Sequence, residues 1–432
     1  MSEVTKLKIL FFLKFCAEAM FLPFLAIYYK SLGFNAAAIG VFLAIPPIVG
    51  ISLSPIYSVI CRNIKVTKTI YMVITILNAI CMFIFFQVKD YYALIALIIL
   101  INMFQANNFG VLEAFSSVCA NHNKTDYSKV RVYGSIAYVL GLSLSGFIAR
   151  FSSFYVASIV AIVFTLASAI ITIFLNVTNE QNHEKRDVKA LIHNKKYWLF
   201  TLFFMVFFGT LNVGDDFCST YMETTKNMSV DVIGYIFSVY VIVECAVMIF
   251  LSRFKKKFKF SHLYTIATFA VILRYLIFAL GAPAPVIMAA GLLKGITWGI
   301  HAYLWGQYIV HITGKHNGTL AIIVEIFIVN VFQAVLKVLL GHVIDRTSYF
   351  VFYLIVACIE IAALIFFVII YRNDDYRSMP NKKRRIRKKT IEDNLEREEM
   401  KESIMGGLND IEKGCVKDGE LALKEIRNKY DL

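Results

Sequence analysis

Charged and aromatic side chains recur at helical spacing inside long apolar runs, where they are expensive and where they could do chemistry. Between 283 and 311, Lys294, Trp298, His301, Trp305 and Tyr308 fall on one stripe of a helix, and the opposite face is aliphatic or small. On the run near 197–222, Asn212, Asp215, Asp216, Ser219 and Glu223 share a second arc. Lys14, Glu18, Phe21 and Tyr28 group near the N-terminus, and Asn102, Gln105 and Glu113 group in a fourth run. Arg131, Ser135, Tyr138 and Ser145 share a face of the fifth run, and Glu244, Arg274, Glu325, Lys337 and Glu360 are spread over the eighth, ninth, eleventh and twelfth. An ionisable group in hydrocarbon costs several kcal/mol unless it faces protein or water, so each of these is a functional candidate. The chemistry they suit is recognition of a polar solute and handling of protons. Structural readings stand beside this one: Arg131, Lys337 and Glu223 lie near run ends, where they can snorkel to the interface, and Glu360 reads as structural because a twelfth helix is usually peripheral. The two indoles beside Lys294 and His301 favour a wet pocket wall.

The elements that must position these groups are membrane spans. The chain has 432 residues, 58% apolar and 15% aromatic, with a mean hydropathy of +0.66, too apolar for a soluble domain of this size. Runs long enough to cross the hydrocarbon lie near 7–30, 36–60, 67–87, 91–119, 131–150 and 153–176, and again near 197–222, 231–252, 260–281, 283–311, 317–341 and 348–371. The expected fold is all-α with twelve transmembrane helices. The N-terminal run, interrupted by Lys14 and Glu18, is read as a retained helix rather than a signal peptide.

Charge supports that count. Of the net +14, residues 1–372 supply 29 Lys+Arg against 16 Asp+Glu, which is +13. The basic residues crowd alternate loops: Arg62, Lys65 and Lys68; Lys124, Lys129 and Arg131; the bridge 177–196; Arg253 to Lys259; and Lys315. By the positive-inside rule that side is cytoplasmic and both termini lie there. This is a topology signal, not a nucleic-acid patch.

The two halves also echo each other. Ile39-Gly40 and Ile233-Gly234 are 194 residues apart, and Gly146 and Gly341, in GFIARF and GHVIDR, are 195 apart. The expected organisation is therefore a six-helix bundle over 1–176, a cytoplasmic linker over 177–196, a second, pseudo-symmetric six-helix bundle over 197–372, and a charged cytoplasmic tail over 373–432. The polar stripes on spans one, four, seven and ten open successive three-helix groups, so these four are expected to line one central cavity. In the tail, the basic stretch Lys382 to Lys389 reads as a solvated flank, with contact to anionic lipid as the sharper reading. The eight cysteines are scattered with no CxxC, and no histidine has a partner spacing for a metal, so no metal or cofactor is expected.

FLPFLAIYYKSLGFNAAAIG (21–40), RVYGSIAYVLG (131–141), VIVECAV around Glu244, VILRYLI around Arg274 and TWGIHAY around His301 resemble the major facilitator superfamily. More narrowly, they resemble its proton symporters of the phenylpropionate, lactose and nucleoside permease branch, over about residues 5–372. The resemblance to lactose permease implies that Glu113 and Arg131 contact substrate, and that Asp215 or Asp216, Glu244, Arg274 and His301 form a charged coupling network. Two departures stand out. The superfamily's G-x-x-x-D-R loop appears as Tyr57 to Arg62, with Tyr57 for the glycine and Cys61 for the aspartate, and span ten has no carboxylate.

The expectation is a multi-pass protein of the bacterial plasma membrane, working as a monomer in lipid. It would couple protons to a small organic solute, a sugar, nucleoside or aromatic acid, by alternating access. Lys14, Glu18, Glu113, Arg131, Asp215, Lys294, Trp298 and Trp305 would bind substrate. Glu244, Arg274, His301, Asp216 and Glu325 would handle the proton, with Glu244, Asp216 and Glu325 as candidate acceptors and Arg274 as the cation beside them; Glu244 and Arg274 are expected to come within pairing distance in at least one state of the cycle. No P-loop supports ATP drive. The alternative is a polytopic membrane enzyme or lipid-handling protein on the same fold, but no catalytic constellation is present to carry it.

Overall fold

The computed structural model describes residues 2–61, 64–105, 107–123, 125, 127–176, 191–253 and 258–371. Residues 177–190 of the central bridge and the whole tail from 373 lie outside the described residues, as do Arg62, Lys124 and the basic stretch 254–257. Every extended element among the described residues is a helix, as hydrocarbon requires of a chain that must satisfy its own backbone.

Eleven helices are long and apolar enough to cross a membrane. A further long helix, Ala284–Thr313, runs for 30 residues; the polar stripe from Lys294 onward sets it apart from the eleven, and it is numbered ten when the long helices are counted in chain order. The first, fourth and seventh spans are each interrupted. The first is Glu3–Phe21 and Leu25–Ser31, joined by a 3-10 turn at Leu22–Phe24 where Pro23 supplies no amide donor. The fourth is Tyr91–Gln105 and Asn108–His122, and the seventh is Lys195–Asp216 and Cys218–Lys226 with its break at Phe217. The remaining spans are continuous: Ala36–Ile60, Ile64–Phe85, Tyr127–Phe151, Phe154–Ile173, Val230–Arg253, Phe260–Ala279, Lys315–Arg346 and Tyr349–Tyr371. Side-chain caps mark several starts. Asn35 accepts from the Ala38 amide at 3.0 Å, Ser153 from Val156 at 3.3 Å and Asn194 from Tyr197 at 3.1 Å.

Packing repeats with a shift of six spans. Span one packs on five and seven on eleven; two on four and eight on ten; three on six and nine on twelve. Two further crossings, span two on eleven and five on eight, are also related by that shift. Both are built on the duplicated glycines. A Cβ on Gly341 would meet Ala36 O at 2.6 Å, and the Cβ position of Gly40 runs into Lys337 O. At the other crossing, a Cβ on Gly146 would meet Asp231 Cα at 2.9 Å and one on Gly234 would meet Leu142 O at 2.7 Å. Only glycine lets these backbones come so close. Polar ties reinforce each contact: the Asp345 carboxylate accepts from the Ala36 and Ala37 amides at 2.8 and 2.7 Å, and Arg150 pairs with Asp231 at 2.6 Å. Ser143 and Ser238 hydrogen-bond at 2.8 Å.

Large apolar side chains such as Ile80, Val163, Ile242, Phe269 and Val335 are exposed along the outer faces. A soluble protein would bury most of so large an apolar surface; in a bilayer it faces lipid.

Candidate functional site

A cavity of about 420 Å³ lies among spans one, two, five, seven, eight and ten, within the usual size range for small-molecule sites. Its polar wall is Arg131, Asn212, Asp215, Asp216, Glu244 and Lys294; its aromatic wall is Phe15, Tyr138, Phe237, Tyr240 and Trp298.

Glycine spacing on span ten explains how that wall is assembled. Gly291, Gly295 and Gly299 recur every four residues along one face and lie against Tyr240, Val243 and Val247 of span eight. A Cβ on Gly295 would meet Tyr240 O at 2.5 Å, and one on Gly299 would meet Glu244 O at 2.8 Å. The close approach brings Tyr240 and Glu244, one helical turn apart, beside Lys294. The ammonium of Lys294 sits 5.4 Å from the Phe237 ring centre and 5.5 Å from that of Tyr240, which helps hold a cation in a partly dry site.

Asp215 is the hub of the charged groups. It forms an ion pair with Arg274 of span nine, a second with Lys294 of span ten at 3.1 Å, and accepts the Trp298 indole N–H at 3.2 Å. Arg274 is fully withdrawn from solvent and also donates to the Tyr275 hydroxyl at 2.7 Å, which in turn donates to Leu211 O at 2.9 Å. One carboxylate therefore ties together three helices and orients an indole at the cavity wall. Asp216, the next residue, turns to span eleven and pairs with Lys337 at 2.7 Å; Lys337 also donates to Leu43 O of span two at 3.1 Å. Breaking either partner out of the buried Asp215–Arg274 pair leaves an uncompensated charge.

The expected site residues divide accordingly. Arg131, Asp215, Asp216, Glu244, Lys294 and Trp298 come together around the cavity. Glu113 is not among the lining residues; it is bound to Arg131 and accepts from the Tyr127 hydroxyl at 3.2 Å, so it holds the arginine from behind. No lining residue belongs to span four, which corrects the expectation that spans one, four, seven and ten form the wall; spans five and eight come forward instead. Lys14 and Glu18 pair with each other at 2.9 Å within span one and do not line the cavity.

The span-ten stripe is also divided. Lys294 and Trp298 face the cavity, whereas His301 is nearly buried between Phe204 and Phe208 of span seven, with ring centres at 5.2 and 4.3 Å. Trp305 stacks on Phe204 and donates its indole N–H to Glu325 at 2.7 Å; Tyr308 stacks on Phe260. Of the two indoles expected at a wet wall, Trp298 lines the cavity, whereas Trp305 lies against Phe204 of span seven and away from it. Glu325 is fully buried, off the cavity, with one carboxyl oxygen unpartnered among the described residues. In this structure Arg274 pairs with Asp215 rather than with Glu244, so the approach of Glu244 and Arg274 expected in at least one state is not made in this one, and Glu244 has no ion-pair or hydrogen-bond partner among the described residues.

Phe15, Phe237, Tyr240 and Tyr275 were not singled out from sequence. Tyr240 and Phe237 precede Glu244 by four and seven residues and so share its face, a signal the spacing did carry. Tyr275 had none: its role depends on Gly214, whose lack of a side chain leaves room for the phenol ring. Among the described residues no group of histidine, cysteine or carboxylate side chains could hold a metal ion.

Comparison with known proteins places this arrangement. Residues 4–355 match the family described as "MFS_1 like family". The nucleoside permease NupG of Escherichia coli (strain K12) is 26% identical over 306 residues, which are 66% of this chain and 73% of that one; the NupG of Shigella flexneri matches equally. Among solved structures, a mutant of the nucleoside transporter NupG superposes with a TM-score of 0.76 at 20% identity, covering 86% of this chain and all (100%) of that one. A POT family transporter in complex with a thioalcohol-conjugated peptide gives 0.66 at 10% identity, covering 87% and 96%.

Proposed function

Because the chain belongs to the MFS_1 like family, and is therefore a multi-pass membrane transporter of the major facilitator superfamily rather than an enzyme, we propose that it is a proton-coupled symporter of a nucleoside-like solute. The observation that carries this is the cavity itself: aromatic faces from Trp298, Tyr240 and Phe237 stand beside Arg131, Asp215, Glu244 and Lys294. A planar base with a polar sugar needs both, stacking on one side and charge-assisted hydrogen bonds on the other. The relatives described as nucleoside permeases support the same class.

In this reading Ala284–Thr313 is the twelfth crossing, its polar face turned to protein and water. Two six-helix halves, 1–176 and 197–372, rock about the cavity as a monomer, and the six-span shift in the packing supports that division. The two glycine crossings, latched by Asp345 and by Arg150–Asp231, are the closed face of the cycle. In this reading both termini lie on the cytoplasmic side of a bacterial plasma membrane, which the distribution of basic residues over alternate loops supports. Glu244, which lines the cavity and has no ion-pair or hydrogen-bond partner among the described residues, is the carboxylate positioned to exchange a proton with cavity water as substrate comes and goes.

Counterflow with purified protein in vesicles tests the class. Radiolabelled uridine should enter vesicles preloaded with unlabelled uridine and show a transient overshoot, whereas lactose and phenylpropionate should not. Overshoot with one of the latter two alone would replace the nucleoside reading.

A further inference from the structure

Glu360 of span twelve is fully buried, and neither of its carboxyl oxygens has a hydrogen-bond partner among the described residues. An ionised carboxylate left without donors in such a place would be prohibitively costly. Its surroundings can be read from its stripe. Tyr353, Glu360 and Phe367 are seven residues apart and share one face. Tyr353 lies 5.5 Å from the Tyr275 ring and donates to Gly214 O at 3.2 Å; Phe367 lies 4.4 Å from Phe203 and 5.9 Å from Tyr264. Glu360 is therefore held between these rings, facing spans seven and nine on the dry side of Arg274.

The groups facing it are few. Span nine presents Arg274 and Tyr275, with Tyr264 against Phe367 nearby; on span seven Asp215 is engaged by Arg274; Tyr353 belongs to its own helix. Span eleven, which also packs on twelve, directs Lys337 to Asp216 and Leu43 instead. Glu360 lies within electrostatic reach of Arg274 without an ion pair between them, and the Nε of Arg274 has no hydrogen-bond partner among the described residues. The arginine thus stands between two carboxyl groups: Asp215 toward the cavity, which it binds, and Glu360 behind, which it does not. Charge leads to the same point, since Arg274 and Lys294 together face one paired carboxylate, Asp215.

We propose that Glu360 is a second proton-binding site, protonated while Arg274 is paired with Asp215 and deprotonated when Arg274 turns to it. In that step the carboxyl O–H bond breaks, the proton passes to water, and the guanidinium takes its place as the counter-charge. Asp215 is then left to Lys294 and Trp298 at the cavity wall, so the state of Glu360 is communicated to the substrate site. This rests on the proton-coupled reading above and deepens it.

The test uses the full chain and two readouts. Infrared difference spectra of purified protein at neutral pH, wild type minus Glu360→Gln, should show the carbonyl stretch of a protonated carboxyl, a component that Glu244→Gln retains and that the other buried carboxyl, Glu325, does not supply because it cancels in the difference. In vesicles, Glu360→Gln should lower proton-driven accumulation of uridine by about tenfold or more while counterflow stays within about twofold of wild type. Should the amide fold poorly, Glu360→Met supplies an apolar side chain of similar length for both measurements. A carboxyl band unchanged by both variants overturns the proton site. Loss of the band with accumulation intact overturns the switching role. A wild-type protein that shows the band but transports none of the solutes refutes the coupling reading and leaves the proton site standing.

Discussion

Asp215 and Arg274 form an ion pair whose side chains retain only 8% and 1% of their solvent exposure. The pair joins spans seven and nine, and through Lys294 and Trp298 the same carboxylate reaches span ten at the cavity wall. Removing Asp215 alone takes from the buried guanidinium the one carboxylate it is paired with in this structure.

Asp215→Asn should therefore lower thermal stability by about 3–5 kcal/mol, and the double variant Asp215→Asn with Arg274→Gln should recover much of it. Unfolding of detergent-purified protein measures both. If the double variant is as unstable as the sum of the single changes, the two residues are not partners.

Trp298 offers its indole face to the cavity and its N–H to Asp215. Trp298→Ala should weaken uridine binding by about 1–3 kcal/mol, the usual worth of stacking a base on an aromatic ring. Trp298→Phe keeps a stacking face and should retain more than half of that free energy. Binding calorimetry in which alanine and phenylalanine behave alike would remove stacking from the account.

Much of this was legible in the sequence, and the reasons differ from residue to residue. The spans were visible because apolar length is a local property. The repeat was visible because the same close crossing is built twice, so Gly40 and Gly234, Gly146 and Gly341 recur in register. The face of each helix could be counted, which grouped Asp215 with Asn212 and Lys294 with Trp298. The rotation of one helix against another could not. Glu244 and Arg274 lie on consecutive spans, yet the arginine turns to span seven. His301 and Trp305 share the stripe of Lys294 but lie beneath Phe204. Span four, polar enough to suggest a cavity wall, spends Glu113 on supporting Arg131.

The glycine crossings lead to a conformational expectation. In Gly146→Leu the new side chain enters the space of Asp231 and Val230, so spans five and eight cannot close. Spin labels on exposed Phe151 and Tyr235, one on each of these spans, should report a longer distance than in the unsubstituted background. An unchanged distance would mean that the crossing is not a moving contact.

The most direct test of the central claim is uridine accumulation in vesicles under an imposed proton gradient. Wild-type protein should concentrate uridine against its gradient, and Glu244→Gln should abolish that concentration while leaving uridine counterflow intact, because exchange needs no net loss of the proton. Accumulation by Glu244→Gln equal to that of wild type, or wild-type accumulation indifferent to the proton gradient, would contradict the account.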